Sequence, residues 1–156
     1  WVRDPAKAQA AAQWLRGQGI SAQAATDLEQ SVRAAQIVSC ATTATSPVVH
    51  GDWLAPGTHL DLVGAFTPQM REVDDAAVAR SRIVVDTYDG ALAEAGDLLV
   101  SMGSGAITRE AVVAELAELV RGEKPGRTAA SEITLFKSVG TALEDLAAAA
   151  LVVGSG

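Results

Sequence analysis

Three short apolar runs, separated by helix-like segments, constrain the fold of this chain more than any other feature of its sequence. Residues 36–41 (QIVSCA), 58–64 (THLDLVG) and 82–86 (RIVVD) are rich in β-branched side chains and show no sustained polar alternation. Runs of this kind are typical of parallel strands that are covered on both faces of a sheet. Strands that alternate with helices predict a doubly wound α/β sheet with right-handed crossovers.

The segments around these runs carry helix signals. Pro5 stands at a first-turn position, Gly17 and Gly19 end the segment, and Asp4 is placed to cap the helix that begins at Pro5. Thr26, with Glu29 three residues later, matches a capping box for a second helix. Further predictions are helices over 74–81, 108–122 and 138–154, a weak strand over 20–25 and a linker over 122–131.

Composition excludes several classes of protein. The 156 residues are 49% hydrophobic and 20% charged, which is the balance of a globular domain. A net charge of −7 argues against a nucleic-acid or anionic-membrane surface, and no apolar run reaches the length of a membrane span. Cys40 is the single cysteine, so no internal disulfide can form, and a cytoplasmic location is expected.

Ligands of such sheets bind beyond the carboxyl ends of the strands. A nucleotide site would want a glycine-rich turn after the first strand, and the chain has none there; residues 103–108 (GSGAIT) are a weak match that also suits a plain turn. His50 and His59 lack metal-ligand spacing, so no metal is expected. Cys40 is interpreted as a small buried residue.

Three stretches resemble the ornithine cyclodeaminase/mu-crystallin family: residues 40–49 (CATTATSPVV), 61–72 (DLVGAFTPQMRE) and 133–146 (ITLFKSVGTALEDL). The resemblance implies an NAD(P)-binding Rossmann domain and a separate domain for substrate and dimerisation. It also implies that the chain begins at the second Rossmann strand, without the first strand and the glycine-rich loop. We therefore expect residues 1–156 to form one partial Rossmann-like domain, with a C-terminal helix over 136–153 that packs on the N-terminal domain of a homodimer.

Arg3 is the main indication of the cofactor. An acidic residue at the end of the second strand holds the ribose hydroxyl of NAD, whereas an arginine suits the additional phosphate of NADP. The resemblance places Val2 where cyclodeaminases carry Asp, and Arg3 matches the mu-crystallin branch. NADP(H) is therefore expected in preference to NAD(H), although an arginine after a strand is otherwise a solvated loop residue. Asp4 is a further candidate contact.

The resemblance implies other cofactor contacts after three strands. A hydroxyl contact is implied for Thr42, although Thr-rich loops often cap themselves locally. Small residues after the second apolar run would let the backbone approach the nicotinamide; the alternative is that Gly64 simply ends a strand. Lys137 is read as opening the last helix, where it opposes the helix dipole and favours an anion partner. The candidates are Ala41, Thr42, Thr43, Val63, Gly64, Ala65, Lys137 and Ser138.

Phe66 bears on the reaction. The resemblance places it where cyclodeaminases have a catalytic Asp, and a phenyl ring cannot transfer a proton, so no catalytic residue is assigned. The resemblance instead favours reduction of a cyclic ketimine such as Δ1-pyrroline-2-carboxylate to the L-amino acid, with Phe66 as a pocket wall or a core aromatic. The alternatives are a cyclodeaminase or amino-acid dehydrogenase of this family, or a non-catalytic NADPH-binding protein of the mu-crystallin kind.

Overall fold

The computed structural model describes residues 1–154 of the chain. These residues divide into two compact units, one formed by Trp1–Ala34 and the other beginning at Ala35. Each unit is described by itself. The expectation of one partial domain over residues 1–156 stays a prediction. No helix within the described residues is both long and apolar enough to cross a lipid bilayer.

The first unit consists of two helices, α1 (Pro5–Gly17) and α2 (Leu28–Ala34). The predicted cap of α1 is confirmed, because the Asp4 carboxylate accepts a hydrogen bond from the backbone N–H of Ala6 at 2.9 Å. The cap of α2 is the Asp27 carboxylate, which accepts from the N–H of Gln30 at 3.0 Å, and not the predicted Thr26 hydroxyl.

The predicted strand over 20–25 is wrong. Gly19 has φ of 80°, and the chain turns back on α1, where the Ile20 N–H donates to the Leu15 carbonyl at 3.0 Å. Arg16 then donates to the Ala22 carbonyl at 2.8 Å. These local bonds use the Ile20 N–H and the Ala22 carbonyl, which a strand would instead pair with a neighbouring strand.

The second unit is built on a parallel sheet with the strand order β1-β2-β5-β3-β4. This arrangement confirms the predicted α/β fold class, and the three apolar runs form β1, β2 and β3. The strands are β1 (Ile37–Cys40), β2 (His59–Leu62), β3 (Ser81–Val85), β4 (Val112–Glu115) and β5 (Ile133–Lys137).

Helices connect the strands of this sheet. Asp74 caps the first of them by accepting from the N–H of Ala77 at 2.9 Å, and Thr87 caps the next through Gly90. The helices of the second unit are α3 (Asp75–Ala79), α4 (Tyr88–Glu94), α5 (Gly96–Gly103), α6 (Leu116–Val120) and α7 (Ala142–Gly154).

Two predicted helices need correction. Residues 108–122 form a 3-10 turn, strand β4 and the short helix α6, because Val112 and Ala114 pair with β3 as an edge strand. The last helix begins at Ala142 and not at residue 136 or 138, because residues 133–137 form β5 between β2 and β3. Lys137 therefore ends a strand and does not open a helix.

The two faces of the sheet differ in burial. One face is closed by Leu60, Leu62, Ile83 and Leu135, which have at most 1% of their surface exposed. The opposite face is only half-buried and carries polar pairs, such as Ser39 with Asp61 at 2.8 Å and His59 with Thr134 at 2.8 Å. The expectation that both faces are covered therefore holds for one face.

We predict that Leu135→Ala lowers the free energy of unfolding by about 2–5 kcal/mol, because it empties a buried site in the central strand. The matched control is Val120→Ala on an exposed helix position, where a change within about 0.5 kcal/mol is expected. Urea unfolding of the two variants measures both values. Equal losses in the two variants would contradict the placement of β5 in the core.

Candidate functional site at the carboxyl ends of the strands

The sheet brings the segments that follow β1, β2, β5 and β3 to one edge. Hydrogen bonding continues past the strand ends: Val63 N–H donates to the Cys40 carbonyl at 2.8 Å, and Asp86 N–H donates to the Lys137 carbonyl at 3.1 Å. The segments that carry Thr42, Val63 and Ser138 are therefore neighbours. Since ligands of parallel α/β sheets bind at this edge, it is the candidate site.

The loop after β1 is held by a buried carboxylate. Thr42 N–H donates to Oε1 of Glu72 at 2.6 Å, and the Thr42 hydroxyl accepts from the Ala44 N–H at 3.2 Å. The hydroxyl therefore makes the local cap that the sequence left open as an alternative to a cofactor contact. Ala41 and Thr43 are exposed on either side of it.

The turn after β2 exposes two side chains and buries the residues between them. Val63 and Phe66 are 47% and 44% exposed, whereas Gly64 and Ala65 are buried. Ala65 has φ of 51°, in the left-handed region that side chains disfavour, and its carbonyl accepts from the Gly96 N–H at 3.0 Å. The turn has a defined, strained shape with Phe66 at its surface.

Gly64 is required by its surroundings. A Cβ at this position would overlap the Glu72 carboxylate and the Thr42 carbonyl. We expected this glycine either to let the backbone approach a nicotinamide ring or to end a strand. The structure gives a different reason, which is the contact between the turn and the protein interior.

Lys137 is fully buried, and its ammonium donates to the carbonyl of Gly64. Its Nζ also lies 3.5 Å from Oδ2 of Asp97, which is likewise fully buried. Within the described residues, Oδ2 of Asp97 has no hydrogen bond and only this ion-pair contact. Because the lysine side chain is enclosed, its predicted role as a direct cofactor contact stays a prediction without a surface to support it.

Asp97 and Glu72 complete a buried charged cluster. Oδ1 of Asp97 accepts from the backbone N–H groups of Glu72 at 2.7 Å and Val73 at 3.0 Å. Burial raises the pKa of both carboxyls above their ordinary values, although the Lys137 ammonium and the N–H donors act in the opposite direction. We call Glu72, Asp97 and Lys137 the buried triad.

A third acidic residue, Asp86, organises the turn after β5. The Asp86 carboxylate accepts from the Ser138 hydroxyl at 3.1 Å and from the N–H groups of Val139 and Gly140 at 2.8 and 2.9 Å. Ser138 therefore lies at the candidate edge, as predicted, but in a turn that precedes α7. Its predicted contact with the cofactor stays a prediction.

Arg3 and Asp4 belong to the first unit. Arg3 is exposed, and within residues 1–154 its guanidinium has no hydrogen-bond or ion-pair partner. It lines a hollow of about 140 Å³ together with Trp1, Gln9 and residues 24–26. Asp4 is occupied by capping α1, which is the structural role that the sequence also allowed.

The residues present fit a nicotinamide nucleotide in two respects. In the second unit, the exposed Thr43, Val63 and Phe66 provide accessible surface at the edge. In the first unit, Arg3 is an exposed cation beside a hollow, with no partner within residues 1–154. Sequence reasoning missed Glu72 and Asp97, since neither follows a strand. The available signal was a charged residue, Lys137, at the end of an apolar run.

Comparison with known proteins identifies the family. The pattern of the ornithine cyclodeaminase/mu-crystallin family matches residues 1–155. This chain belongs to that family. The resemblance seen in the sequence is therefore confirmed.

Relatives in the family include reductases of cyclic imines. The chain is 43% identical to a Δ1-pyrroline-2-carboxylate reductase of Paracoccus denitrificans, over 97% of this chain and 48% of the relative. It is 35% identical to the ketimine reductase mu-crystallin of Mus musculus, over 99% of this chain and 46% of the relative. The chain thus spans about half the length of the curated relatives it matches.

A solved structure of the same family supports the fold. The Thermococcus litoralis Δ1-pyrroline-2-carboxylate reductase, in complex with NADH and L-proline, superposes with a TM-score of 0.91 at 39% identity. The match covers 97% of this chain and 49% of that one. The parallel sheet described above is therefore the Rossmann-like sheet of this family.

We predict that Cys40 does not react with thiol reagents in the folded protein. Burial, assisted by the nearby Glu72 and Asp97 charges, raises the pKa of its thiol to about 12, so the thiolate is absent at about pH 8. The measurement is the rate of reaction with a chromogenic aromatic disulfide, with and without urea. Rapid reaction without urea would contradict the burial of Cys40.

Proposed function

We propose that the complete protein carrying this chain reduces a cyclic imino acid, such as Δ1-pyrroline-2-carboxylate, to the L-amino acid with a nicotinamide cofactor. The observation that carries the proposal is Phe66, an apolar side chain exposed at the turn where cyclodeaminases are expected to have a catalytic Asp. The identity to Δ1-pyrroline-2-carboxylate reductases supports the same reaction.

The reduced nicotinamide, when bound, supplies a hydride to the imine carbon, and the ring nitrogen of a protonated imine takes the electron pair of its C=N bond. This reaction needs no proton transfer from residue 66. Phe66 and Val63 instead provide an apolar wall that excludes water from the reacting atoms. The fixed turn at Gly64 and Ala65 orients that wall.

We propose NADP(H) as the preferred form of the cofactor. The support is the exposed Arg3, whose guanidinium has no partner within residues 1–154 and can make bidentate contacts to a phosphate. Thr42, Thr43 and Ser138 are proposed to line the cofactor at the second unit. The NADH in the Thermococcus litoralis structure is a property of that protein and leaves the preference to experiment.

We propose that in the complete protein α7 packs on an N-terminal domain, which corresponds to the part of the relatives that this chain does not span. We propose that this domain forms a homodimer. The support is an apolar helix whose side chains are largely exposed, with Leu143 at 72% and Val153 at 80%. Apolar surface of this kind marks an interaction site.

We propose a cytoplasmic location, with which the single, buried cysteine is compatible.

The test of the reaction is oxidation of NADPH and NADH by the full-length protein with Δ1-pyrroline-2-carboxylate, beside release of ammonia from L-ornithine. We expect imine-dependent oxidation and no ammonia release, since residue 66 carries no acid or base. Ammonia release would mean that another group replaces the absent Asp. Tight NADPH binding without turnover of any cyclic imine would favour a non-catalytic binding protein.

We predict that Arg3→Ala raises the KM for NADPH by about 10-fold or more, because it removes charge-assisted hydrogen bonds to the phosphate. The KM for NADH should stay within about twofold, since NADH lacks that phosphate. Lys7→Ala, at an exposed position of the same unit, is the control and should change neither value. Equal effects of Arg3→Ala on both cofactors would remove the basis for the NADP preference.

A further inference from the structure

Three ionisable side chains of the second unit have no access to solvent. Glu72, Asp97 and Lys137 each have none of their surface exposed. Desolvating such groups is costly, and burying a charge is tolerated only where it is paired and hydrogen-bonded. The pairing here is incomplete, because Oε2 of Glu72 has no hydrogen bond within the described residues. An arrangement of this cost calls for a role beyond filling the core.

The contacts of the triad are directed at two segments of the candidate edge. Oε1 of Glu72 binds the N–H of Thr42 after β1, and the Lys137 ammonium binds the carbonyl of Gly64 after β2. These bonds join positions that are 30 and 73 residues apart in sequence. The groups that the triad binds in these segments, the Thr42 N–H and the Gly64 carbonyl, are main-chain groups, so the triad acts on backbone geometry.

Asp97 links the two connections. It pairs with Lys137 at 3.5 Å and holds the N–H groups of Glu72 and Val73 through its other oxygen. It is also the second residue of α5, next to Gly96, whose N–H binds the Ala65 carbonyl. A Cβ at Gly96 would overlap the Met70 carbonyl, so this approach of α5 to the 64–72 segment leaves no free space.

The segment held in this way has a conformation it would not adopt alone. Ala65 is a non-glycine residue at φ of 51°, and strain of this kind persists only where the surroundings determine it. The residues on either side of the strained turn, Val63 and Phe66, are those whose side chains are exposed. The interior contacts thus determine where the exposed wall stands.

We infer that Glu72, Asp97 and Lys137 are positioning residues, which set the backbone of Thr42 and of Gly64–Phe66 so that the exposed wall faces the nicotinamide and imine. This inference rests on the proposed function. None of the three touches the surface of the edge, so they are not catalytic residues. Their effect on turnover passes through the orientation of the reacting groups, where misplacement by about 1 Å can cost about 100-fold in rate.

The first test uses the full-length protein with the double substitution Asp97→Asn/Lys137→Met. It removes the charges of Asp97 and Lys137 together, so that Asp97 is not left as an unpaired charge, and an asparagine oxygen can still accept from the backbone N–H groups of Glu72 and Val73. The single substitution Lys137→Met leaves Asp97 unpaired and is used only if it folds. Lys124→Met, which removes an exposed lysine of the same unit, is the matched control.

The second test compares two substitutions of one residue. Glu72→Gln keeps an oxygen that can accept from the Thr42 N–H but removes the charge, whereas Glu72→Ala removes the acceptor. If the hydrogen bond to Thr42 is what matters, the glutamine variant retains most of the function that the alanine variant loses. Equal loss in the two variants would show that the charge, and not the bond to the loop, is required.

Two readouts separate positioning from general stability. Amide hydrogen exchange should become about 10-fold faster at residues 63–66 in the double variant and at Thr42 in Glu72→Ala, because each variant loses a charge-assisted bond to that segment. Residues 81–85 of β3 should be unchanged in both variants. In turnover of Δ1-pyrroline-2-carboxylate, kcat should fall about 10-fold or more while the KM of the imino acid changes less than about threefold. A larger isotope effect with C4-deuterated NADPH should accompany the fall.

The inference is overturned if the folded double variant keeps wild-type exchange at residues 63–66 and a kcat within about twofold of wild type. It is also overturned if exchange rises equally in β3, which would indicate a merely structural role. If the wild-type protein reduces no imine, the proposed function fails. Amide exchange in the absence of cofactor then still decides whether the triad fixes these two segments.

Discussion

The enclosed ion pair between Lys137 and Asp97 is the interaction on which the geometry of the second unit depends. It lies where four segments meet: the end of β5, the start of α5, the turn after β2 and, through Glu72, the loop after β1. Buried ion pairs seldom add stability over a well-packed apolar core, because desolvation offsets their attraction. This pair instead fixes the positions of specific main-chain groups, because Lys137 also binds the Gly64 carbonyl and Asp97 also binds the N–H groups of Glu72 and Val73. The apolar face of the sheet provides the stability, and the pair selects one arrangement of the edge.

Much of the fold was predictable because its signals are local. Pro5 and Asp4 mark the start of α1, and the β-branched runs mark β1 to β3. The failure at residues 108–122 has a physical reason. The segment AVVAELAELV carries both a helical apolar period and two adjacent β-branched residues, so both structures are compatible with it. Pairing with β3 decides in favour of a strand, and pairing is not a local property.

The site was predictable only in outline. The edge of the sheet followed from the α/β alternation, and Thr42, Val63 and Ser138 do lie there. Lys137 was wrongly predicted to open the last helix. Residues 133–137 instead form β5, in which buried and half-buried positions alternate as in a strand. The partners of Lys137 could not be inferred, because no local pattern indicates which distant carboxylate or carbonyl a buried ammonium will meet.

The buried triad and the exposed side chains of Val63 and Phe66 are separate in this chain. The triad acts on main-chain atoms of Thr42 and Gly64, so it places the turn whatever side chain stands at position 66. A carboxylate on that turn would be held at the edge as firmly as the phenyl ring of Phe66 is here, and would add proton transfer to the same geometry. The chemistry at this edge can therefore change with one exposed residue, without any change in the interior contacts of this chain that fix the turn.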